Sequence, residues 1–425
     1  MHRDPWYFEK KITTKGLELW HKEVPDLSWY GIGVVIYAGH RHDPRNLNNL
    51  SHLLEHAIID SEKPNWKTRG EREEYMLSHG IIEGLGFTTS IDSMWTSIKT
   101  PRAAAGLSYL HDIFRIAPTE IDVQKPKRIV EREKKERGTE DERTIARAIM
   151  TAILPPDHAL VRYHDSASLA HMFENATKDD LLDHWRNRYT TANTILITTG
   201  PLSTEEMAQL VDSHYAVEGD TVAVGTRDEV RALSKEELPP PERIRMNLKE
   251  VLGHEHYDRN IPPEVMIAYA HELPHLSNAE RYLMRRTLSS SLFERLREQR
   301  HLVYSTPVRN ELFADIGLHK INMNCSAENI EQILTETDNI VQIIQEEGPA
   351  IFEREKREAL LSFEVGEETR SSVLHDMMHH IGAHGKTELK MEYLEKLQEI
   401  TFEQILALTR ECFGKGRATV IAITP

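Results

Sequence analysis

The sequence predicts an α+β protein made of two related halves. Three observations indicate this class: one helix–strand pattern occurs twice, strands and helices do not alternate strictly within a half, and a proline-containing segment separates the halves. The chain has 425 residues, enough for two or three domains that each bury a core of their own.

The repeated pattern closes each half. Residues 177–189 and 401–413 both begin with Thr, and each places an acidic residue in the first turn, then an apolar pair, an Arg and a final aromatic residue. A Thr followed by a carboxylate predicts a helix start, because their side chains satisfy free amide donors. A β-branched stretch follows at 194–199 and at 418–424, so we predict a buried strand after each helix.

The boundary between the halves is predicted from proline content. Three consecutive prolines at 239–241 favour an extended, semi-rigid spacer. We therefore predict a first domain at 1–222, a linker at 223–239 and a second domain at 240–425.

The elements of the first half follow from local patterns. The apolar stretch 31–38 is too short to cross a bilayer and is typical of a buried strand. In chain order we predict strands at 17–22 and 29–38, helices around His52 and at 69–78, strand-like residues at 86–100, and long helices at 103–115 and 126–150.

Composition excludes several classes of function. The net charge of −16 and the lack of a basic block argue against nucleic-acid binding, and no glycine-rich phosphate loop follows a strand. Two Cys cannot form a disulfide framework or a Cys-rich zinc site, whereas 23 His supply many candidate metal ligands. Residues 1–15 have no apolar core and so are not a secretory signal; we expect a cytoplasmic location and no membrane partner.

The most informative segment contains two histidines with a glutamate beside them. On a helix, His52 and His56 are four residues apart and lie on one face, so both imidazoles can reach a single Zn²⁺. Glu55 is placed to reach a water near that metal. The order H-x-x-E-H is the inverzincin arrangement, which reverses the zincin motif.

A catalytic zinc site needs a third protein ligand. The helix that begins near Pro126 has Ile129 and Val130 on its buried face, and Glu133 lies four and three residues beyond them. Glu131 points to a different side, so Glu133 is the preferred ligand and Glu131 the alternative. Both glutamates would equally suit the solvated face of a highly charged helix.

At this point the sequence resembles the pitrilysin family of zinc peptidases, in the branch of the mitochondrial processing peptidase and small bacterial relatives. Members of that family carry H-x-x-E-H and, roughly 75 residues later, a glutamate ligand; Glu133 follows His56 by 77 residues. Their second half carries L-F-x-x-L-R-x-x-x-G-L-x-Y, and residues 292–304 match it with Arg297 and Tyr304 at the Arg and Tyr positions.

The resemblance implies a fold and an assembly. The fold is two homologous α/β-roll domains, each an antiparallel sheet with helices on one side, which together form half of a clamshell. Two chains would enclose a chamber that admits peptides. Because this chain carries both motifs, a homodimer is the simplest interpretation, and a heterodimer with a related chain is the alternative.

The resemblance also implies an activity, which is zinc-dependent endopeptidase cleavage of peptides or of a precursor peptide. Glu55 would be the general base, and Arg297 and Tyr304 would bind the substrate carbonyl. The zinc ligands would be His52, His56 and Glu133. The alternative is a catalytically silent scaffold or partner subunit of a related peptidase complex.

Some positions depart from the family pattern. The glycine that usually stands three residues before the first histidine is Asn49, and the glycine common before the motif tyrosine is His301. The Asn-Ala pair of the substrate-binding edge strand is absent from residues 84–90. These departures leave the three candidate ligands intact and predict a divergent member.

Overall fold

The computed structural model describes residues 8–118, 122–217, 230, 233–253, 263–271, 276–365, 374, 377, 378 and 390–424. The chain divides into two compact units: the first draws on 1–138, 165–230 and 369–387, and the second on 139–164, 231–368 and 388–425. Residues 139–164 thus group with the second unit, although they precede the predicted linker. Residues 223–229, 231 and 232 of that linker lie outside the described residues.

The first unit is built on a seven-stranded sheet with the order β1-β2-β7-β3-β6-β4, and β5 also pairs with β6. Strands β2 and β7 pair in parallel and the other neighbours pair antiparallel. The strands are Glu9–Ile12 (β1), Glu18–Glu23 (β2), Tyr30–Ile36 (β3), Ile82–Glu83 (β4), Thr88–Thr89 (β5), Met94–Thr100 (β6) and Thr194–Gly200 (β7).

In the described residues of 1–138 and 165–217 the first unit has seven helices, and α5 and α6, which lie between these two ranges in the sequence, belong to the second unit. The helices are Leu50–Asp60 (α1), Arg69–His79 (α2), Ala103–Phe114 (α3), Gln124–Arg137 (α4), Glu140–Ile153 (α5), Ala159–Tyr163 (α6), Ser166–Asn175 (α7), Lys178–Arg188 (α8) and Thr204–His214 (α9).

The prediction of one long helix at 126–150 is wrong, because the helical conformation is interrupted between α4 and α5. Gly138 ends α4 in an extended conformation. Thr139 then starts α5 with a capping box, in which its hydroxyl accepts from the backbone of Glu142 and the Glu142 carboxylate accepts from the backbone of Thr139. The non-helical Gly138 is followed directly by this capping box. Two separate helices are therefore more stable here than one continuous helix.

The sheet of the first unit is covered on both faces around β3. Ile32 and Val34 pack into the helical core, whereas Val35 packs on the other side with Leu374 and Met378. Burial on both faces explains why β3 is continuously apolar rather than alternating.

The second unit repeats this arrangement with a six-stranded sheet of order β10-β12-β9-β13-β8, and β11 also pairs with β12. Here β8 and β13 form the parallel pair. The strands are Arg243–Asn247 (β8), Glu264–His271 (β9), Val303–Ser305 (β10), Val308–Leu312 (β11), Gly317–Cys325 (β12) and Thr419–Thr424 (β13).

The helices of the second unit pack into a core separate from that of the first. Besides α5 and α6 they are Leu248–Leu252 (α10), Asn278–Leu292 (α11), Ile330–Thr337 (α12), Ile340–Val365 (α13), Lys390–Glu399 (α14) and Phe402–Phe413 (α15), and α11 continues as a π-helical segment over Phe293–Gln299.

The two sheets share one topology, which confirms the predicted relation between the halves. Apart from the additional edge strand β1, each sheet places its last strand between one strand to which it is parallel, β2 or β8, and the next strand along the chain, β3 or β9, to which it is antiparallel. The preceding helices, α8 and α15, begin with capping boxes at Thr177 and Thr401. One pair in each sheet, β2 with β7 and β8 with β13, is parallel where the other pairs are antiparallel as expected, because helices connect the last strand back to the sheet in the same direction. Among the described helices, none is long and apolar enough to cross a membrane.

Candidate metal site

The helix α1 carries the histidine pair, and its start is fixed by a buried carboxylate. Asp43 accepts hydrogen bonds from the backbone N–H groups of Asn49 and Ser51, both at 2.7 Å, and from the Ser51 hydroxyl at 2.6 Å. It thereby caps α1 from outside the helix. Burial alone would raise the pKa of Asp43, but hydrogen bonds from His40 and Ser51 and the nearby imidazoles hold it below its usual value.

Asn49 explains one departure from the family pattern. Its φ of 72° lies in the left-handed region, where glycine is favoured and Asn is among the residues that adopt it most readily. The position therefore keeps the backbone conformation that a glycine would provide, and α1 can begin at Leu50.

The structure brings three candidate ligands together. The Nε2 atoms of His52 and His56 are 3.3 Å apart. Glu133, on α4, places Oε2 3.2 Å from Nε2 of His52 and Oε1 3.4 Å from Nε2 of His56. The alternative ligand, Glu131, is half exposed and pairs with Lys135 at 2.8 Å on the surface of α4.

These separations fit the donor set that zinc prefers. Ligand atoms about 2.0–2.1 Å from a common tetrahedral centre are about 3.3–3.4 Å from one another. The distances among His52, His56 and Glu133 are 3.2, 3.3 and 3.4 Å. Two imidazole nitrogens and one carboxylate would therefore hold Zn²⁺ with little rearrangement.

A second carboxylate, Glu55, also lies beside the imidazoles. Ligand atoms of His52, Glu55 and His56 lie within 4.8 Å of one another. Glu133 lies 3.2 and 3.4 Å from the two imidazoles, so it remains the preferred candidate for the third ligand. Glu55 is buried and accepts a hydrogen bond from the hydroxyl of Thr89 on β5.

The residues that support the site were not found from the sequence. His40 bonds Asp43 at 3.2 Å and faces the ring of His52 edge-on, with ring centres 6.4 Å apart. Nε2 of His184, on α8, bonds the Ser51 hydroxyl at 3.0 Å. These residues, together with Thr89, belong to no local sequence motif, since only the packing of distant segments brings them together.

Arg297 and Tyr304 belong to the second unit. Arg297 follows α11 in the π-helical segment, where its guanidinium stacks on Phe293 at 4.7 Å and pairs with Glu298 at 3.6 Å. Tyr304 on β10 is 66% exposed, which excludes a role as a core residue. Between them, His301 has a φ of 55°, so this second departure from a family glycine also occupies a left-handed position.

Sequence comparisons relate the chain to known peptidases. Residues 175–359 match the family model described as the peptidase M16 inactive domain. The alpha subunit of the mitochondrial processing peptidase of Caenorhabditis elegans is 24% identical over 130 residues, which is 30% of this chain and 25% of that subunit. The match to this curated relative thus spans about a quarter of its length. Arg297 and Tyr304 lie inside the segment that matches the family model, and the three candidate ligands lie before it.

Solved structures share the fold of the whole chain. The peptidase M16 inactive domain from Pseudomonas fluorescens has a TM-score of 0.78 at 15% identity, covering 99% of this chain and 98% of that one. A protease from Helicobacter pylori has a TM-score of 0.72 at 15% identity, covering 99% and 100%. The periplasmic protease PqqL of Escherichia coli has a TM-score of 0.76 at 12% identity, covering 98% of this chain and 46% of that one.

These findings define the class of the protein at a coarse level. The chain has the mixed α/β fold of M16-like peptidase structures, as the sequence predicts. It is related to the M16 peptidases, the pitrilysin family, and it matches close to half of the longer PqqL chain.

Proposed function

We propose that the chain is a zinc-dependent endopeptidase. The spacing of His52, His56 and Glu133 carries this proposal, because two imidazole nitrogens 3.3 Å apart, each 3.2–3.4 Å from an oxygen of the same carboxylate, suit a tetrahedral metal with a fourth position open to water. The relation to M16 peptidases supports peptides as the substrate class.

The chemistry divides between the metal and one carboxylate. A bound zinc ion would supply Lewis-acid chemistry that activates water and polarises a peptide carbonyl. Glu55 would take a proton from the attacking water and deliver it to the leaving amine as the C–N bond breaks. Its burial beside the two imidazoles suits this role, since proton transfer needs a carboxylate within hydrogen-bond reach of the reacting water.

The peptide would bind as an added strand next to β5. The sequence favours residues 86–91 as this edge, and β5 itself is shorter, spanning Thr88–Thr89 before a turn at 90–93. Main-chain hydrogen bonds along such an edge bind peptides with little dependence on sequence. Contact between Thr89 and Glu55 supports this edge, because a peptide bound there would lie close to the proposed base.

Arg297 and Tyr304 are proposed to bind the substrate carbonyl or the developing oxyanion. Exposure of both side chains supports this role. We further propose that two chains assemble, either two copies of this chain or this chain with a relative. The support is that the chain covers 46% of the PqqL chain, as one half of a larger protease would. Sedimentation of the purified protein would distinguish a monomer, a homodimer and a chain that needs a partner.

Metal analysis and peptide cleavage test the proposal. We expect one zinc per chain in the wild type, and cleavage of a peptide mixture that a chelator abolishes, both read by mass spectrometry. Glu55→Gln should retain zinc and lose cleavage, whereas Glu133→Gln should lose zinc. Glu131→Gln is the matched control: it makes the same chemical change on the surface of α4 and should alter neither property. Wild-type cleavage rates in Glu55→Gln would refute the mechanism.

A second function is favoured by one specific observation. The matching family model is described as an inactive domain, so a catalytically silent scaffold or partner subunit is the competing proposal. A protein that binds no zinc and cleaves no peptide, alone or with a related chain, would support it. Zinc at one ion per chain with chelator-sensitive cleavage would exclude it.

A further inference from the structure

Thr89 on the edge strand β5 contacts the proposed general base. Its hydroxyl donates a hydrogen bond to Oε2 of Glu55, although the two residues are 34 positions apart in the sequence. Glu55 is 6% exposed, so this bond is shielded from bulk water. A hydrogen bond to a buried carboxylate is stronger than one between neutral groups.

Thr89 is held in place by strand pairing and by the turn that follows it. Thr89 pairs with Met94 of β6. The turn that follows is closed by the backbone N–H of Ser90, which donates to the Ser93 carbonyl at 2.8 Å, and by the Ser90 hydroxyl, which donates to the same carbonyl at 2.8 Å. Thr89 therefore enters a turn with little freedom to shift.

The same turn is attached to the segment that precedes α1. The backbone N–H of His40 donates to the Ser90 carbonyl at 3.0 Å, and that of Arg41 donates to the Ile91 carbonyl at 2.7 Å. The Arg41 guanidinium adds a bond to Asp92 at 2.6 Å. Because Asp43 in this segment caps α1, Thr89 and Glu55 are held by one connected set of hydrogen bonds.

A glutamate side chain has three rotatable bonds, and a base must present one carboxylate oxygen in one direction for efficient proton transfer. Bonding of Oε2 to a fixed hydroxyl restricts rotation of the carboxylate and so orients Oε1. We propose that Thr89 is a positioning residue that fixes the orientation of Glu55 for proton transfer. This inference rests on the proposed peptidase function. It also implies that the strand beside which the peptide binds orients the base.

Kinetics of two substitutions test the proposal. Thr89→Val removes the hydroxyl but keeps the β-branched shape, and we expect kcat to fall about 10- to 100-fold. KM should stay within about twofold and zinc content should be unchanged. Thr89→Ser, which restores a hydroxyl, should recover most of the lost rate. Thr151→Val is the matched control, because Thr151 is exposed on α5 and bonds only its own helix backbone, at the Arg147 carbonyl.

Three results would overturn the proposal: an unchanged kcat in Thr89→Val, loss of zinc from that variant, or a rise in KM with no change in kcat. The first means that the hydroxyl has no role in the rate, and the second means that it maintains the metal site. The third means that it binds substrate.

A measurement on the metal-free protein separates this inference from the proposed function. Thermal unfolding of Thr89→Val, Glu55→Ala and the double variant should be non-additive, because Thr89→Val removes a bond that no longer exists once Glu55 is truncated. Additive melting temperatures would overturn the contact even if the wild type cleaves peptides. Non-additive unfolding in a protein that never cleaves peptides would instead refute the peptidase function, while the orientation of Glu55 by Thr89 would stand.

Discussion

Replacement of Asp43 by Asn should strongly destabilise the first unit. Asp43 accepts hydrogen bonds from the backbone N–H groups of Asn49 and Ser51, from the Ser51 hydroxyl and from His40, and it is 4% exposed. An Asn side chain has one acceptor oxygen, and its amide group would direct N–H donors at the N–H donors of the helix start.

The magnitude follows from these contacts. Loss of a helix N-cap costs about 1–2 kcal/mol. A buried N–H left without an acceptor costs about 1–3 kcal/mol. Because Asn can still satisfy part of the set, and because neighbouring terms are not additive, we expect a total loss of about 2–4 kcal/mol, below the full sum of the two terms. The start of α1 would also loosen, so the zinc affinity of His52 and His56 should fall roughly tenfold or more.

Tryptophan fluorescence can report on the first unit alone. All six Trp of the chain precede residue 186. Urea unfolding of the metal-free protein at 25 °C, followed by this signal, should show a lower midpoint with an unchanged slope. Zinc affinity would be measured separately by competition with a chromogenic chelator.

The matched control is Asp183→Asn on α8. Asp183 is 67% exposed and pairs with Arg186 at the surface, so the same chemical change should cost less than about 0.5 kcal/mol. A loss below about 1 kcal/mol in Asp43→Asn, or a loss equal to that of Asp183→Asn, would refute the assignment of Asp43 as the cap that holds α1.

Three further predictions concern single positions. Burial lowers the pKa of His184 to about 4, so below pH 6.5 the unfolded chain binds a proton that the folded chain excludes; stability should fall by about 2 kcal/mol from pH 7 to pH 5, and His184→Gln should remove that part of the slope. His301→Gly should raise the stability of the second unit by up to about 1 kcal/mol and His301→Val should lower it by about 1–2 kcal/mol in calorimetry, because φ is 55°; equal melting temperatures would contradict this. Gly39→Ala should cost about 2–3 kcal/mol, since its Cβ would lie 2.5 Å from the backbone of Ser90 and Ser93; a neutral urea midpoint would show that the turn can move.

Local patterns account for what sequence analysis predicted well. The pairing of His52 with His56 follows from helix periodicity, because residues four apart share a face whatever surrounds them. The helix starts at Thr177 and Thr401 are capping interactions that span three residues, and the structure contains both. The repeated order of strands then follows from two halves that carry the same succession of elements.

The wrong prediction of one helix at 126–150 shows what local patterns do not determine. Helical periodicity continues across residues 126–150, but a capping box at Thr139 outweighs it and starts a second helix. The segment 139–164 then packs with the second unit although it precedes the linker. Periodicity within the segment does not predict with which unit it packs. That depends on apolar surface contributed by residues far away in the sequence.

The sequence by itself determined the class of fold, the repeat and the histidine pair, because each depends on interactions between residues a few positions apart. Only the tertiary structure decided which glutamate of α4 faces that pair: the packing of α1 against α4 turns Glu133 toward the imidazoles and leaves Glu131 with Lys135 at the surface. It also decided that Asp43 caps α1 and that Thr89 contacts Glu55. The physical reason is the same in each case. Contacts between segments far apart in the chain depend on how whole helices and strands pack, and a single sequence does not carry that information in any local pattern.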